Sequence, residues 1–356
     1  MGENFIVHTG AIIKEYLDEL GMSQKDCSKR LGISEKHLSN LLNGKTKLTE
    51  DIAIKFEKIF HNVPASYWLN YESKYREYLK REEINQKEFK EKELIELDKR
   101  FKFSTVFAGL DWDLKKQANE MLKLLGISNY SLFDDVYSNL SVDFMEDGGE
   151  KESIAIWLNL AREEVEIQNR DLSNKKYDRT NLINSLEKFK RIALNNDYQS
   201  SLQSARKLLN RLGIYLVFCD AVVNSKVRGA LTTYKKNPAI YLSGRFKTHD
   251  HVWFALMHEI GHLIMHYEPN IPIITFESEL ELDNKISTKE DEANEFARDF
   301  FIDKKDYKKF TELGIFNQKS IEEFSLSQNI LPGIVVARLQ HDGYIGFEAF
   351  YYLKNK

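Results

Sequence analysis

The stretch "WFALMHEIGHLIMH", residues 253–266, decides how this chain is read. Three histidines and a glutamate recur every few positions inside a run that is otherwise apolar, and five of the chain's nine histidines fall between His249 and His266. Trp253, Phe254, Leu256, Met257, Leu263, Ile264 and Met265 make the expected helix apolar nearly all round, which places it in a core. Polar groups buried there need partners. His258-Glu259-Ile260-Gly261-His262 fits the pattern H-E-x-x-H, and residues four apart share one face of a helix. Two imidazoles at that spacing can converge on one Zn²⁺, and Glu259 beside them can take a proton from water on the metal. The alternative is a buried helix whose histidines are satisfied by ordinary hydrogen bonds. His266 lies about 12 Å along the axis from His258, at about 1.5 Å per residue, too far to share an ion from a continuous helix. It is therefore given a structural or outer-shell role, and His249 and His251 are expected ahead of the helix, at the surface or a strand end.

A zinc site needs a third protein ligand, with a fourth position left open. "STKEDEANEFARDFFID", residues 287–303, is the best source. Ser287 or Thr288 can cap a helix on which Glu290, Ala293, Asn294 and Ala297 form one stripe. Small residues let that stripe approach another helix, so Glu290 is favoured as the ligand. Asn294 can hydrogen-bond the outer ring nitrogen of a ligand histidine. Glu292, about 200° round the helix from Glu290, is the rival ligand.

The rest of the chain bounds this reading. It has 356 residues, is 42% hydrophobic and carries a net charge of −4, so no overall basic field points to nucleic acid. Cys27 and Cys219 form no CxxC and no even framework, which favours a reducing compartment. The first 20 residues do not read as a signal peptide, and no apolar run approaches the ~20 residues that span a bilayer. A cytoplasmic protein without a membrane partner is expected. Residues 65–193 contain no proline and read as helix; within them "KREEINQKEFKEKELIELDKR" (80–100) reads as a solvated connecting helix and "MEDGGEKE" (145–152) as a turn. "GIYLVFCDA", "GALTTY" and "AIYLSG" read as short strands, the last two flanking a turn at "KKNP". The edge of "AIYLS" (239–243) is expected to accept an extended peptide, and Arg228, Tyr234, Tyr267 and Arg298 compete as oxyanion stabilisers.

The N-terminal part punctuates itself. Ser23, Ser34 and Thr49 are placed to cap helices that end at Gly32, at Asn43-Gly44 and beyond. Short helices joined by tight glycine turns form a helix-turn-helix pattern. Residues 21–50 carry six Lys or Arg against three Asp or Glu, a local surplus in an acidic chain. Outward residues of the third helix can reach base edges or phosphates.

Two resemblances sharpen these readings. "GMSQKDCSKRLGISEKHLSNLLNGKTKLTEDIAIKFEKIFHNVPASYWL" resembles the Xre/Cro-type helix-turn-helix, in the variant found in HigA-like antitoxins. The resemblance implies DNA contacts from Gln24, Ser34, Lys36, His37, Ser39, Asn40, Asn43 and Lys45. "AIYLSGRFKTHDHVWFALMHEIGHLIMH", "KEDEANEFARDFFI" and "ILPGIVVARLQHDGYI" together resemble the ImmA/IrrE metallopeptidases, with Asp303 where that family usually has proline. This implies His258, His262 and Glu290 as ligands of one Zn²⁺ per chain and Glu259 as the catalytic acid/base. The fold expected is α+β and mostly helical: a five-helix helix-turn-helix domain (1–75), a helical connector (76–189) and a zincin-like metallopeptidase domain with a small sheet (190–356). The function expected is a DNA-binding regulator fused to a zinc endopeptidase that cleaves a partner repressor or regulatory protein. Double-stranded DNA, an operator or the chain's own promoter, is the other partner, and a homodimer stays open. The rival functions are an antitoxin or repressor whose peptidase domain is a sensor or scaffold, and a toxin or phage-defence effector with an autoregulatory helix-turn-helix.

Overall fold

Within the first 60 residues, serine and glycine set both ends of the second helix, and serine sets the start of the third. Helix α1 spans Thr9–Glu19, α2 Gln24–Leu31, α3 Glu35–Leu42, α4 Glu50–Ile59 and α5 Ala65–Lys87. Ser23 Oγ accepts from the Asp26 amide and Ser34 Oγ from the His37 amide, satisfying donors that each helix start leaves free. Gly32 closes α2 at φ 68°, in the left-handed region where glycine carries no Cβ penalty. Thr49 precedes α4 but makes no capping hydrogen bond through its side chain. The five helices enclose a core of Ile13, Leu17, Leu31, Leu38, Leu41, Phe56 and Trp68, with Trp68 edge-on to Tyr16.

The computed structural model describes residues 6–87, 89–140, 150–245, 247–276 and 288–354. The chain divides into two units, residues 1–93 and 94–356. The expected connector is shared between them, 76–93 in the first and 94–189 in the second. The charged stretch 80–100, expected as one helix, forms two. Helix α5 ends at Lys87, Phe89 sits at φ 58°, and a new helix runs Glu91–Phe101. Leu94 and Phe101 of this second helix are buried. Of the turn expected at 145–152, residues 145–149 lie outside the described residues.

In the second unit four strands, β1 Tyr215–Cys219, β2 Val227–Tyr234, β3 Asn237–Ser243 and β4 Ile273–Phe276, form a sheet in the order β1-β3-β2-β4. β1 runs parallel to β3; β2 is antiparallel to both β3 and β4. The "AIYLS" strand is therefore interior and has no free edge, which corrects the expectation that it could receive a peptide. All seven of its residues are buried, as a strand covered on both faces requires. The outer edge of β1 is also closed. Gln168 accepts from the Phe218 amide and donates to its carbonyl, Asn169 accepts from the Leu216 amide, and Arg206 donates to the Leu216 carbonyl. β4 is the remaining edge strand.

A helix spanning His249–Met265, here the histidine helix, packs on β2 and β3, and its Trp253, Leu256, Met257 and Ile260 share a core with Leu231, Ile240 and Leu242. A second helix, Thr288–Phe301, here the acidic helix, lies along it. Three further helices, Lys304–Leu313, Gln318–Gln328 and Pro332–His341, follow the acidic helix in the chain, the first capped by the Asp303 carboxylate. Among the described residues no helix is long and apolar enough to cross a membrane.

The first unit makes its own test. A Cβ on Gly10 would overlap the Leu41 carbonyl oxygen of α3, backbone that cannot rotate away. Overpacking costs about 1–3 kcal/mol, and Gly10→Ala is expected at the upper end. Hydrogen exchange of the α1 and α3 amides should read that loss; wild-type protection in the variant would refute the close approach.

Candidate metal centre and recognition helix

One turn of α-helix places the rings of His258 and His262 side by side, their Nε2 atoms 3.0 Å apart. Both side chains are buried. Glu290, in the first turn of the acidic helix, completes a triangle: Oε2 lies 3.2 Å from His258 Nε2 and Oε1 3.1 Å from His262 Nε2. The two helices come this close because Gly261, just before His262, has no side chain. A Cβ on Gly261 would stand 3.0 Å from the Phe296 ring and 3.4 Å from Ala293 Cα. Ala293 and Ala297 face the same contact and are fully buried.

The donor set suits a small divalent cation. Tetrahedral zinc, with bonds of about 2.0–2.2 Å, spaces its ligand atoms about 3.3 Å apart, close to the three separations here. His258, His262 and Glu290 form the group of three metal-type donors found among the described residues. Each ligand-type histidine is held from behind. Asn294 Oδ1 lies 3.0 Å from His258 Nδ1, and His266 Nδ1 lies 3.0 Å from His262 Nδ1. Glu292 is turned away from the triangle and meets His266 Nε2 at 2.8 Å.

Glu259 projects from the same helix toward the sheet and is 1% exposed. A Cβ on Gly229 of β2 would overlap its carboxylate, so only glycine fits beneath it. Glu259 Oε2 is buried with no hydrogen-bond partner among the described residues. Burial pushes its carboxyl up to about 8, with the Glu290 charge adding to the rise and His262, Thr275 and Arg228 opposing it. Burial also opposes the charge on Glu290, yet hydrogen bonds from His258 and His262 bring it down to about 2. His258 is lowered, chiefly by burial. On His262 burial works downward, but the Glu290 hydrogen bond and the charges of Glu259 and Glu290 outweigh it, so its net shift is upward.

Sequence reasoning missed part of this site. Thr275 on β4 touches both motif residues: its Oγ1 lies 3.3 Å from His258 Nε2, and it hydrogen-bonds Glu259. Nothing in a four-residue strand announces that. Gly229 carried a usable signal, since glycine inside a strand marks a bulge or a close approach. Both occur here. Val227 pairs with Phe276 and Gly229 with Thr275, so β2 spends one extra residue, Arg228. A bulge re-aims its extra side chain, and the Arg228 guanidinium stands 5.1 Å over the Phe254 ring of the histidine helix. The other oxyanion candidates point elsewhere. Tyr234 donates to Glu166, Tyr267 shares a hydrogen bond with Thr233, and Arg298 lies among Glu295 and Asp299. His249 and His251, expected ahead of the helix, form its first turn, and His249 is buried. Thr248 is the N-cap, and Asp250 in the first turn is buried and paired with Lys354 at 2.7 Å.

In the first unit, α3 buries Leu38, Leu41 and Leu42 and turns Glu35, Lys36 and His37 outward. Ser39 and Asn40 are half-buried on its outer side; Gln24, Ser34, Asn43 and Lys45 are exposed. Two of the polar candidates have structural work: Ser34 caps α3, and the Asn43 side-chain amide donates to the Ser39 carbonyl. Gln24, Lys36, His37, Asn40 and Lys45 remain as the groups best able to meet a phosphate backbone or a base edge.

Comparison with known proteins falls into the same two parts. Residues 13–68 match the helix-turn-helix family and residues 209–327 the IrrE N-terminal-like domain of the M78 peptidases. Curated relatives include virulence-associated protein A' of Dichelobacter nodosus, 35% identical over 68 residues, 19% of this chain and 59% of that protein. An uncharacterised HTH-type transcriptional regulator of Escherichia coli is 39% identical over 61 residues, 17% of this chain and 64% of that protein. Antitoxin HigA-1 of Vibrio cholerae is 35% identical over 65 residues, 18% of this chain and 60% of that protein. The chain thus spans about three-fifths of the length of these relatives. No solved structure matches it significantly.

The enclosed carboxyl has a thermodynamic consequence. Its folded-state value of about 8 lies above the ordinary 4.5. The stability it contributes is fully present below the ordinary carboxyl range and is lost as pH rises through about 8. In protein stripped of divalent cations by a chelator, Glu259→Gln removes this dependence. Denaturant titrations should show the glutamine variant gaining on wild type across that window; a constant difference would contradict the enclosure of the carboxyl.

Proposed function

Because this chain joins a domain of the helix-turn-helix family to an IrrE N-terminal-like domain of the M78 peptidases, we propose that it is a cytoplasmic DNA-binding regulator whose second unit is a zinc-dependent endopeptidase. Its substrate is a partner protein, a repressor or other regulatory protein. The observation that carries the reading is the triangle of buried His258 and His262 with half-buried Glu290, and the Glu259 carboxyl enclosed beside it.

His258, His262 and Glu290 would hold the ion, which when bound supplies a Lewis acid for the scissile carbonyl and for water. The protein's own groups do the rest. Glu259, enclosed beside the triangle, would act as the carboxylate, the form that a cation there favours, taking a proton from the attacking water and returning it to the leaving amine. Arg228, aimed by the bulge, offers positive charge near the carbonyl oxygen as it becomes an oxyanion. An extended substrate can add to the outer edge of β4, which brings its backbone to Thr275 and so to the site. In the first unit the exposed face of α3 meets the DNA major groove, with Lys36, Lys45 and neighbouring amides on phosphates. Likeness to antitoxin HigA-1 favours a second reading, in which the chain represses through DNA and the peptidase unit acts as a sensor.

Metal analysis and proteomics separate these readings. Purified protein should carry a single Zn²⁺ that His262→Ala abolishes. Glu259→Gln should keep the ion and lose cleavage by at least about 100-fold, the low end for a lost general base. If cells expressing wild type and Glu259→Gln yield the same set of protein fragments, the sensor reading stands instead.

DNA binding is tested on the chain's own promoter region. Affinity should fall steadily with rising salt as counterions are released. Lys36→Ala/Asn40→Ala should weaken it further with unchanged helical content. A flat salt response would make the first unit a protein-interaction module.

A further inference from the structure

We propose that His266 and Glu292 form a relay that fixes the orientation and tautomer of His262, so that its Nε2 faces the ion. The two are positioning residues, outside both the ligand set and the acid/base pair, and the proposal rests on the zinc reading above.

The geometry is a chain of two links. His262 Nε2 faces His258 and Glu290, while its Nδ1 lies 3.0 Å from His266 Nδ1. His266 Nε2 in turn lies 2.8 Å from Glu292 Oε2. His266 follows the last helical residue with φ −124° and ψ −6°, so it has left the helix and its ring can meet His262 from behind. Its side chain is only 7% exposed, whereas Glu292 is 58% exposed and brings the chain out to solvent.

Proton accounting leaves one assignment. A ring nitrogen that gives its lone pair to a metal holds no proton, so neutral His262 must carry its proton on Nδ1. That N–H donates to His266 Nδ1, which must then be bare. The remaining proton of neutral His266 sits on Nε2 and donates to the Glu292 carboxylate, which only accepts. Every link is satisfied, and no other arrangement of neutral rings both leaves His262 Nε2 free for the ion and satisfies both links. His258 is held differently, by the neutral amide of Asn294. The acidic helix thus serves three atoms from alternate positions: Glu290 faces the triangle, Asn294 orients one histidine, and Glu292 orients the other through His266. A charge-backed link also makes the His262 nitrogen more basic, which a purely space-filling His266 would not do.

The test measures zinc affinity of the full-length protein by competition with a chromophoric chelator. His266→Leu is expected to weaken binding on the order of 10- to 100-fold, as loss of an outer partner does. His266→Gln, whose amide oxygen can accept from His262 Nδ1, should restore most of it. Glu292→Gln should weaken binding while leaving the core intact, because Glu292 is exposed, so it carries the test even if His266→Leu fails to fold. Nitrogen NMR of the zinc-loaded protein should find the proton of His262 on Nδ1 and that of His266 on Nε2. Unchanged affinity in Glu292→Gln, or a proton on His266 Nδ1, would overturn the relay. A wild-type protein that takes no zinc would overturn the metal reading, and the relay with it; intact zinc binding indifferent to these variants would overturn the relay alone.

Discussion

A carboxyl group enclosed on an apolar helix is the constraint from which the second unit takes its shape. Ionising Glu259 in a dry site costs several kcal/mol, so the group stays protonated until about pH 8. Its enclosure demands a strand with no side chain beneath it, which Gly229 supplies. The histidines beside it demand a second helix near enough to bring a carboxylate, and Gly261, Ala293 and Ala297 make that approach possible. Two glycines and two alanines thus answer the needs of four ionisable groups. A cation at the triangle would reverse the local balance and favour the charged form of each acid, which makes occupancy of the site and ionisation of Glu259 parts of one equilibrium.

Among the described residues the sheet has β4 as its unpaired edge, beside the site. β1 is closed by three side chains that take its backbone donors and acceptors, and β3 lies between partners. An unpaired edge invites unwanted pairing; with the far edge closed, β4, which carries Thr275, is the remaining edge among the described residues. The bulge in β2 works in the same direction: one extra residue turns Arg228 to the helix face of the sheet, over Phe254.

The first unit shows how the same residue type divides between structure and contact. Ser34 and Asn43 lie on the outward side of α3, yet their side chains satisfy helix ends. Lys36 and His37 have no such duty and lie exposed between them. Polar residues on this helix are thus not equivalent: those at its ends cap it, and Lys36 and His37 between them stay exposed.

Local periodicity was legible in the sequence because it depends on contacts within a turn or two. The caps at Ser23, Ser34 and Gly32, the apolar side of α3 and the one-turn spacing of His258 and His262 all follow from helix geometry. So did the mostly helical α+β class and the two kinds of domain. Tertiary structure alone decided what depends on how distant segments dock. It made the "AIYLS" strand interior, placed Thr275 and Gly229 around Glu259, and paired buried Asp250 with Lys354. It also turned Glu290 to the histidine triangle and Glu292 to His266, though both are acids in the same helical turn. Sequence spacing separates such neighbours by angle around their own axis. Only the position of the opposing helix determines which angle faces the site.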